Sequence, residues 1–291
     1  MDVKHLPVMS REVIEVLAPV EGGTYVDATV GLGGHSEMIL EKIGEQGRVV
    51  GIDRDDEALA RTAERLSDSR VILKKGSFSD MEAILSSQGM NHADGVLLDL
   101  GVSMMQLKDP GRGFSFLSQE RLDMRMDSSQ ELSAWDVVNG YSERELLRIL
   151  REYGEEYRAV KIVRSIIHER DKKSIDTCGE LAEIISRSIG RHGKVHPATK
   201  TFQALRIEVN RELDELKEGL YASMRILRKG GRLCVISYHS LEDRVVKHFI
   251  KEHAKAERLK QLLKKPLIPG IDEVRANPSS RSAKLRGAEK L

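Results

Sequence analysis

The sequence predicts an α/β fold: a mainly parallel sheet with helices on both faces, plus an inserted helical segment. Three observations carry this reading. Between residues 25 and 101, short apolar runs alternate with amphipathic helical patterns, as βα units do. Between residues 103 and 208, only loops and helical stretches are legible, with no buried strand. A strand-like apolar run then returns at residues 232–237.

Taken in order, candidate strands occupy residues 25–29, 48–53, 71–75 and 95–100. Between the second and third, Ala58, Leu59, Ala63 and Leu66 recur at near-helical spacing, which predicts a helix over 56–66. Strands that alternate with helices pair in parallel and are covered on both faces. After Gly101 the pattern predicts helices at 143–151, 158–169 and 178–189, then one long helix from about 201 to 227 that ends at Gly230-Gly231. The expected organisation is a sheet domain from residues 1–104 and 209–291, with an inserted helical domain, 105–208, suited to substrate recognition. No internal repeat or low-complexity tract interrupts it.

At 291 residues the chain exceeds the usual size of one compact domain. Its 47 Lys and Arg nearly balance 46 Asp and Glu, so net charge argues neither for nor against a polyanionic partner. Distribution is more informative. Residues 187–207 carry Arg187, Arg191, Lys194, Lys200 and Arg206 with no acid among them, and the tail after Lys251 is also basic. Such regions fit an RNA-facing surface, or else a solvated face and a disordered end. The two cysteines, Cys178 and Cys234, form no metal or disulfide framework. No run approaches the roughly 20 apolar residues of a membrane span, and the first residues lack a signal-peptide core. A cytoplasmic protein is expected. His192 and His196 are four apart, but Gly193 and Pro197 break a shared helical face, so no metal site is expected.

The segment Tyr25-Val26-Asp27-Ala28-Thr29-Val30-Gly31-Leu32-Gly33-Gly34-His35 reads as a strand, a glycine-rich turn and a helix start, with Asp53 closing the next strand. This is the layout of a nucleotide-cofactor site. A dinucleotide fingerprint needs a third glycine where this chain has Ser36. A sulfonium-cofactor turn, acidic-x-Gly-x-Gly-x-Gly, matches Asp27, Thr29, Gly31 and Gly33 with Thr29 as the one substitution. Ligands in open α/β sheets sit beyond the carboxyl ends of the strands, so Asp53 and Asp99 should converge beside Gly31 to His35. Phe78, just after the third strand, is placed to pack beside an adenine.

Further matches run along the whole chain. They include His5-Leu6-Pro7-Val8-Met9, Asp99-Leu100-Gly101-Val102-Ser103 with Gln106, and Arg112-Gly113-Phe114-Ser115-Phe116. Leu122-Asp123-Met124-Arg125-Met126-Asp127, Glu152-Tyr153-Gly154-Glu155-Glu156, Thr199-Lys200-Thr201-Phe202-Gln203 and Ser237-Tyr238-His239-Ser240-Leu241-Glu242-Asp243-Arg244 continue them. In these residues the chain resembles the bacterial 16S rRNA (cytidine N4)-methyltransferase family. The resemblance implies a Rossmann-like class I methyltransferase core that binds S-adenosylmethionine and methylates a cytidine in the decoding region of the small ribosomal subunit. Cofactor contacts carry over onto Gly33, Gly34, His35, Asp53, Phe78, Asp99 and Gln106, with Gly31 in the same turn.

For the chemistry, Asp99 is the first candidate acceptor for the cytidine amine, with a backbone carbonyl near Gly101 as the alternative if the cofactor occupies the aspartate. Many amino-methyltransferases place Asn-Pro-Pro-aromatic here, and this chain lacks those prolines and the aromatic. Tyr238 and His239, after the last apolar run, are further catalytic candidates. Phe114, Phe116 and Tyr238 are candidate platforms for the flipped base. Ser240 with Asp243 predicts a helix cap. Two other classes remain open at this point: a nicotinamide-dependent dehydrogenase, from Gly31, Gly33 and Asp53, and a non-catalytic RNA-binding protein on the same scaffold. Monomer and homodimer are equally compatible with the sequence.

Overall fold

A computed structural model describes residues 7–101, 110–190 and 196–291. The chain divides into two compact units, Met1–Gly101 with Leu213–Leu291, and Val102–Glu212.

The first unit is built on one seven-stranded sheet of order β3-β2-β1-β4-β5-β7-β6. Its strands are β1 Thr24–Asp27, β2 Arg48–Asp53, β3 Val71–Lys75, β4 Ala93–Asp99, β5 Leu227–Ser237, β6 Leu259–Gln261 and β7 Lys284–Lys290. The pairs among β1 to β5 are parallel, while β7 runs antiparallel between β5 and β6. The expected mainly parallel sheet is therefore present, with one reversed strand inside it. A dinucleotide-binding sheet of order 3-2-1-4-5-6 has no such reversed strand.

Alternating side chains explain why both faces are covered. Val26, Val50, Val96 and Val235 enter one apolar cluster with Met81, Leu216, Leu220 and Phe249. Their neighbours Tyr25, Val49, Leu97 and Cys234 enter the other, with Val13, Leu17, Ile39 and Ile43. Period-two alternation sends successive residues to opposite faces, so each strand feeds two cores.

Two expectations for the return to the sheet are corrected. The predicted single helix is two, Thr199–Asn210 and Glu212–Ile226, separated by Arg211 in a left-handed conformation (φ 50°). Gly230-Gly231 does not end that helix. The chain passes directly from Ile226 into β5, and Gly230 (φ 79°) lies in its irregular opening, where the register against β4 shifts between Ala93 and Gly95. The tail is ordered: its helix Ile271–Ala276 and strands β6 and β7 complete the sheet.

The second unit is helical among its described residues, with Ala134–Gly140, Glu143–Glu152, Ala159–Arg170, Cys178–Ile189 and Thr199–Asn210 around one apolar cluster. Ser133, Ser142 and Thr177 each form a capping box with the acid three residues on. Such boxes satisfy two otherwise unpaired amides at each helix start. Phe114 is buried in this core. Phe116 stacks on His196 at 4.4 Å between ring centroids and meets Phe202 edge-on.

Candidate active site at the carboxyl ends of the strands

The glycine-rich turn leaves β1 at Asp27 and enters the helix Gly34–Leu40 through Gly33. Gly33 is left-handed (φ 74°), and a Cβ there would lie 2.6 Å from Leu66 Cδ1 and 2.9 Å from Thr62 Cγ2. The turn thus packs directly on the helix Asp56–Arg65 and its end, and only glycine fits. Thr62 donates its hydroxyl to the Gly31 carbonyl, fastening the same contact.

Asp27 has a structural task. It is 1% exposed, and its Oδ2 accepts from Ser36 Oγ at 2.7 Å while Oδ1 faces Thr29 N at 3.4 Å. Ser36, which stands where a dinucleotide fingerprint has glycine, therefore locks the strand to the helix. Burial pushes the Asp27 carboxyl above the ordinary carboxylate range, opposed by His35 and by the Ser36 hydroxyl.

Asp53 closes β2 as a brace for the turn. Its Oδ2 accepts from Gly31 N at 2.9 Å and Oδ1 from Asp55 N at 3.0 Å. Burial raises its carboxyl, and those two amides pull it back down. The Arg54 amide lowers it as well, so of the roughly four acceptor positions of an ionised carboxylate about one remains for a ligand hydroxyl.

Asp99 closes β4, and three segments meet on it. Its amide donates to Thr29 Oγ1 at 2.7 Å, so the substituted position of the turn motif ties β4 to the turn. Tyr238 Oη donates to its Oδ1 at 2.8 Å, and His35 Nε2 lies 3.5 Å from its Oδ2. The His35 side chain is only 7% exposed, yet neither ring nitrogen has a hydrogen-bond partner among the described residues. A buried polar atom without a partner is costly. His35 is thus a donor–acceptor pair awaiting a ligand.

Tyr238 is placed by its own neighbours. Its amide donates to Glu242 Oε2 at 2.8 Å, and its ring lies against Gly101, where a Cβ would stand 3.0 Å from Cδ2. Gly101 adopts φ 128°, so both its conformation and the close ring require glycine. Burial, then Asp99, raises the Tyr238 hydroxyl above its ordinary range and keeps it a donor. Tyr238, expected as a base platform, has its hydroxyl on Asp99 and its ring against Gly101. Phe114 and Phe116 are likewise engaged within the helical unit.

His239 caps the helix Ser240–Lys255 in a box with Glu242, not the expected Ser240 with Asp243. Glu242 Oε2 also accepts from His239 N at 3.2 Å, and Asp243 instead pairs with Arg286 at 2.7 Å. Phe78 packs against the helix Glu212–Ile226: a Cβ on Gly219 would meet Phe78 Cδ2 at 2.5 Å, and the Arg54 guanidinium sits 5.7 Å from the ring centroid. Arg54 is itself held by Glu215 and Ser77.

Of the expected RNA contacts, Arg187 is 64% exposed and faces Glu183 at 3.7 Å. Lys200 donates to the Glu155 carbonyl at 2.8 Å. Arg206 is a correction: its guanidinium forms two bonds to Glu212, at 2.8 and 3.0 Å, and is 17% exposed. It braces the helix junction and is withdrawn from phosphate. Gln106, Arg191 and Lys194 lie outside the described residues.

Sequence reasoning missed Glu242 and Thr29 as positioning groups. The signal for Glu242 was present, since it stands three residues after His239, but histidine is an uncommon cap.

The relative from Persephonella marina, "Ribosomal RNA small subunit methyltransferase H", is 49% identical over 294 residues, covering 99% of this chain and 100% of its own length. The protein of the same name from Trichlorobacter lovleyi is 48% identical, covering 99% of this chain and 98% of itself. The model of the MraW methylase family matches residues 2–291. With the turn, the acidic strand ends and the reversed β7 all in one sheet, the chain belongs to the MraW methylase family.

Proposed function

We propose that the protein transfers the methyl group of S-adenosylmethionine to the N4 amine of a cytidine in the decoding region of 16S rRNA, in the cytoplasm. The observation that supports this most is the junction of Asp99, Tyr238 and His35 at the carboxyl ends of β4 and β5. Membership of the MraW methylase family and relatives named as small-subunit ribosomal RNA methyltransferases support methyl transfer to that RNA.

The residues present fit this cofactor. Asp53 keeps an acceptor position for a ribose hydroxyl, and His35 offers two buried nitrogens that have no hydrogen-bond partner among the described residues. Gly31, Gly33 and Gly34 bring the backbone close, Phe78 packs beside the adenine, and Gln106 joins the set. When bound, the cofactor supplies an electrophilic methyl group on a sulfonium centre.

Asp99 accepts a hydrogen bond from the cytidine amine and so localises the nitrogen lone pair for in-line attack. Tyr238 fixes the carboxylate through Oδ1, and Oδ2, which His35 Nε2 faces at 3.5 Å, takes the amine. Preorganised acceptors of this kind act where charge changes during reaction and need no reorganisation. His239 serves the site by holding the corner that carries Tyr238. Arg187, Lys200, Arg191 and Lys194 contact RNA phosphates from the helical unit.

Small ribosomal subunits lacking the modification, incubated with methyl-labelled S-adenosylmethionine and this protein, test the reading. Label in the RNA supports it. Absence of label, with RNA still bound, would make the protein a non-catalytic RNA binder. Tight nicotinamide dinucleotide binding with no affinity for S-adenosylmethionine would favour the dehydrogenase.

A further inference from the structure

The helix Ala159–Arg170 turns Ala159, Ile162, Val163 and Ile166 into the core of the helical unit. Lys161, Arg164 and His168 are exposed on its other side. Among the described residues these three side chains have no hydrogen-bond or ion-pair partner. Some cations elsewhere in the same unit are used internally: Arg125 with Asp123 at 2.7 Å, Arg148 with Glu208 at 2.8 Å, Arg206 with Glu212 at 2.8 Å. Arg144, Arg151 and Arg211 of the unit are exposed in the same way, so what marks Lys161, Arg164 and His168 is that they share one helix face.

Tyr157 opens the same row. It is 81% exposed, the most open of the large apolar side chains in the described chain. The Arg158 guanidinium lies 5.2 Å and the Lys200 ammonium 5.6 Å from its ring centroid. Both cations are anchored from behind, Arg158 by the Ile189 carbonyl at 3.1 Å and Lys200 by the Glu155 carbonyl at 2.8 Å. Glu156 is buried and Glu169 pairs with Lys172 at 3.2 Å, while Glu155 is exposed at the Tyr157 end of the row. Tyr157, Arg158, Lys161, Arg164, Ser165 and His168 border a shallow, open groove of about 520 Å³ along this one helix.

We infer that this groove binds single-stranded RNA, with one base stacked on Tyr157 and the adjoining phosphates on Lys161, Arg164 and His168. An aromatic ring beside fixed cations is the combination by which proteins hold unpaired nucleotides without reading their sequence. A duplex offers the ring no free base face, so the groove selects unpaired strand. The inference rests on the proposed rRNA substrate and locates a part of its recognition outside the methyl-transfer site.

The test uses the full chain and a fluorescein-labelled, mixed-sequence single-stranded RNA of about twelve nucleotides, long enough for one groove by the site sizes of such binders. Tyr157→Ala is expected to weaken binding about ten-fold, in line with the loss of one stacked base, while Tyr157→Phe binds like the original. The Lys161→Ala/Arg164→Ala variant should lower affinity and reduce the slope of log K against log salt by about 1.4, as two lost phosphate contacts require. Unchanged melting temperature and S-adenosylmethionine affinity establish that these exposed changes leave the fold intact. Wild-type RNA affinity and salt slope in both alanine variants would overturn the inference, as would loss confined to phosphatidylglycerol vesicles. If the unaltered protein methylates small subunits while the variants bind RNA as it does, only the groove assignment fails. If the unaltered protein neither binds RNA nor methylates subunits, the proposed function fails with it.

Discussion

Tyr238 holds Asp99: the tyrosine hydroxyl donates to the aspartate Oδ1 at 2.8 Å, joining the end of β5 to the end of β4. The tyrosine is itself held by Glu242 through its amide and by Gly101 against its ring. A methyltransferase without the Asn-Pro-Pro-aromatic loop thus has another way to fix an acceptor.

Tyr238→Phe keeps the ring against Gly101 and removes only the donor. A hydrogen bond to a charged group is worth about 1.5–3 kcal/mol. Turnover should fall about 10- to 100-fold, with the KM for S-adenosylmethionine changed by less than about three-fold. Steady-state kinetics with saturating subunits separates the two.

Asp53 has a double role, and two substitutions separate its parts. Asp53→Ala removes the acceptor for Gly31 N and Asp55 N, and Asp53→Asn keeps one acceptor oxygen. Calorimetric titration should show cofactor affinity reduced at least about ten-fold in both, from loss of a charged acceptor. Thermal melting without cofactor should show Asp53→Ala to be the less stable of the two.

Gly33→Ala combines a left-handed backbone with an overlap on Leu66 Cδ1. It should destabilise the protein by about 1–3 kcal/mol through strain and overpacking. Leu66→Ala in the same chain removes the larger part of the overlap but neither the Thr62 contact nor the strained φ. The double variant should therefore lose less stability than the sum of the single losses, which denaturant unfolding measures.

Asp27 predicts a pH dependence. Its folded-state carboxyl is raised, so between its unfolded and folded values the native state holds the extra proton and stability falls as pH rises. Asp27→Asn stays neutral and keeps an oxygen for Ser36. The substituted protein should melt higher than the original at pH 8, and the difference should shrink as the pH is lowered towards 4. A difference that grows on acidification would contradict this.

Much of the site was legible because its residues end strands: Asp53 and Asp99 follow apolar runs that could only be buried, and the glycines mark the turn. The break at Arg211 was not, since Asn210-Arg211-Glu212 contains neither glycine nor proline and suits a continuous helix. The reversed β7 was hidden by its charges. Lys284, Arg286, Glu289 and Lys290 read as a solvated tail, yet Lys284 and Arg286 meet Asp243, Glu289 meets Arg232, and Lys290 donates to the Met224 carbonyl. Such partners are remote in sequence, and only the fold brings them together. Arg206 was misread for the same reason, because a run without acids gave no sign that Glu212 would turn back onto it.

Nucleoside analysis of small-subunit RNA after incubation with the protein and S-adenosylmethionine is the most direct measurement. With the original protein the RNA should yield N4-methylcytidine, mapped at base resolution to the decoding region, and with Asp99→Ala it should yield none. N4-methylcytidine at near-normal yield from Asp99→Ala would remove the aspartate from the chemistry. Its absence with the original protein, under conditions where the cofactor binds, would contradict methyl transfer to the cytidine amine.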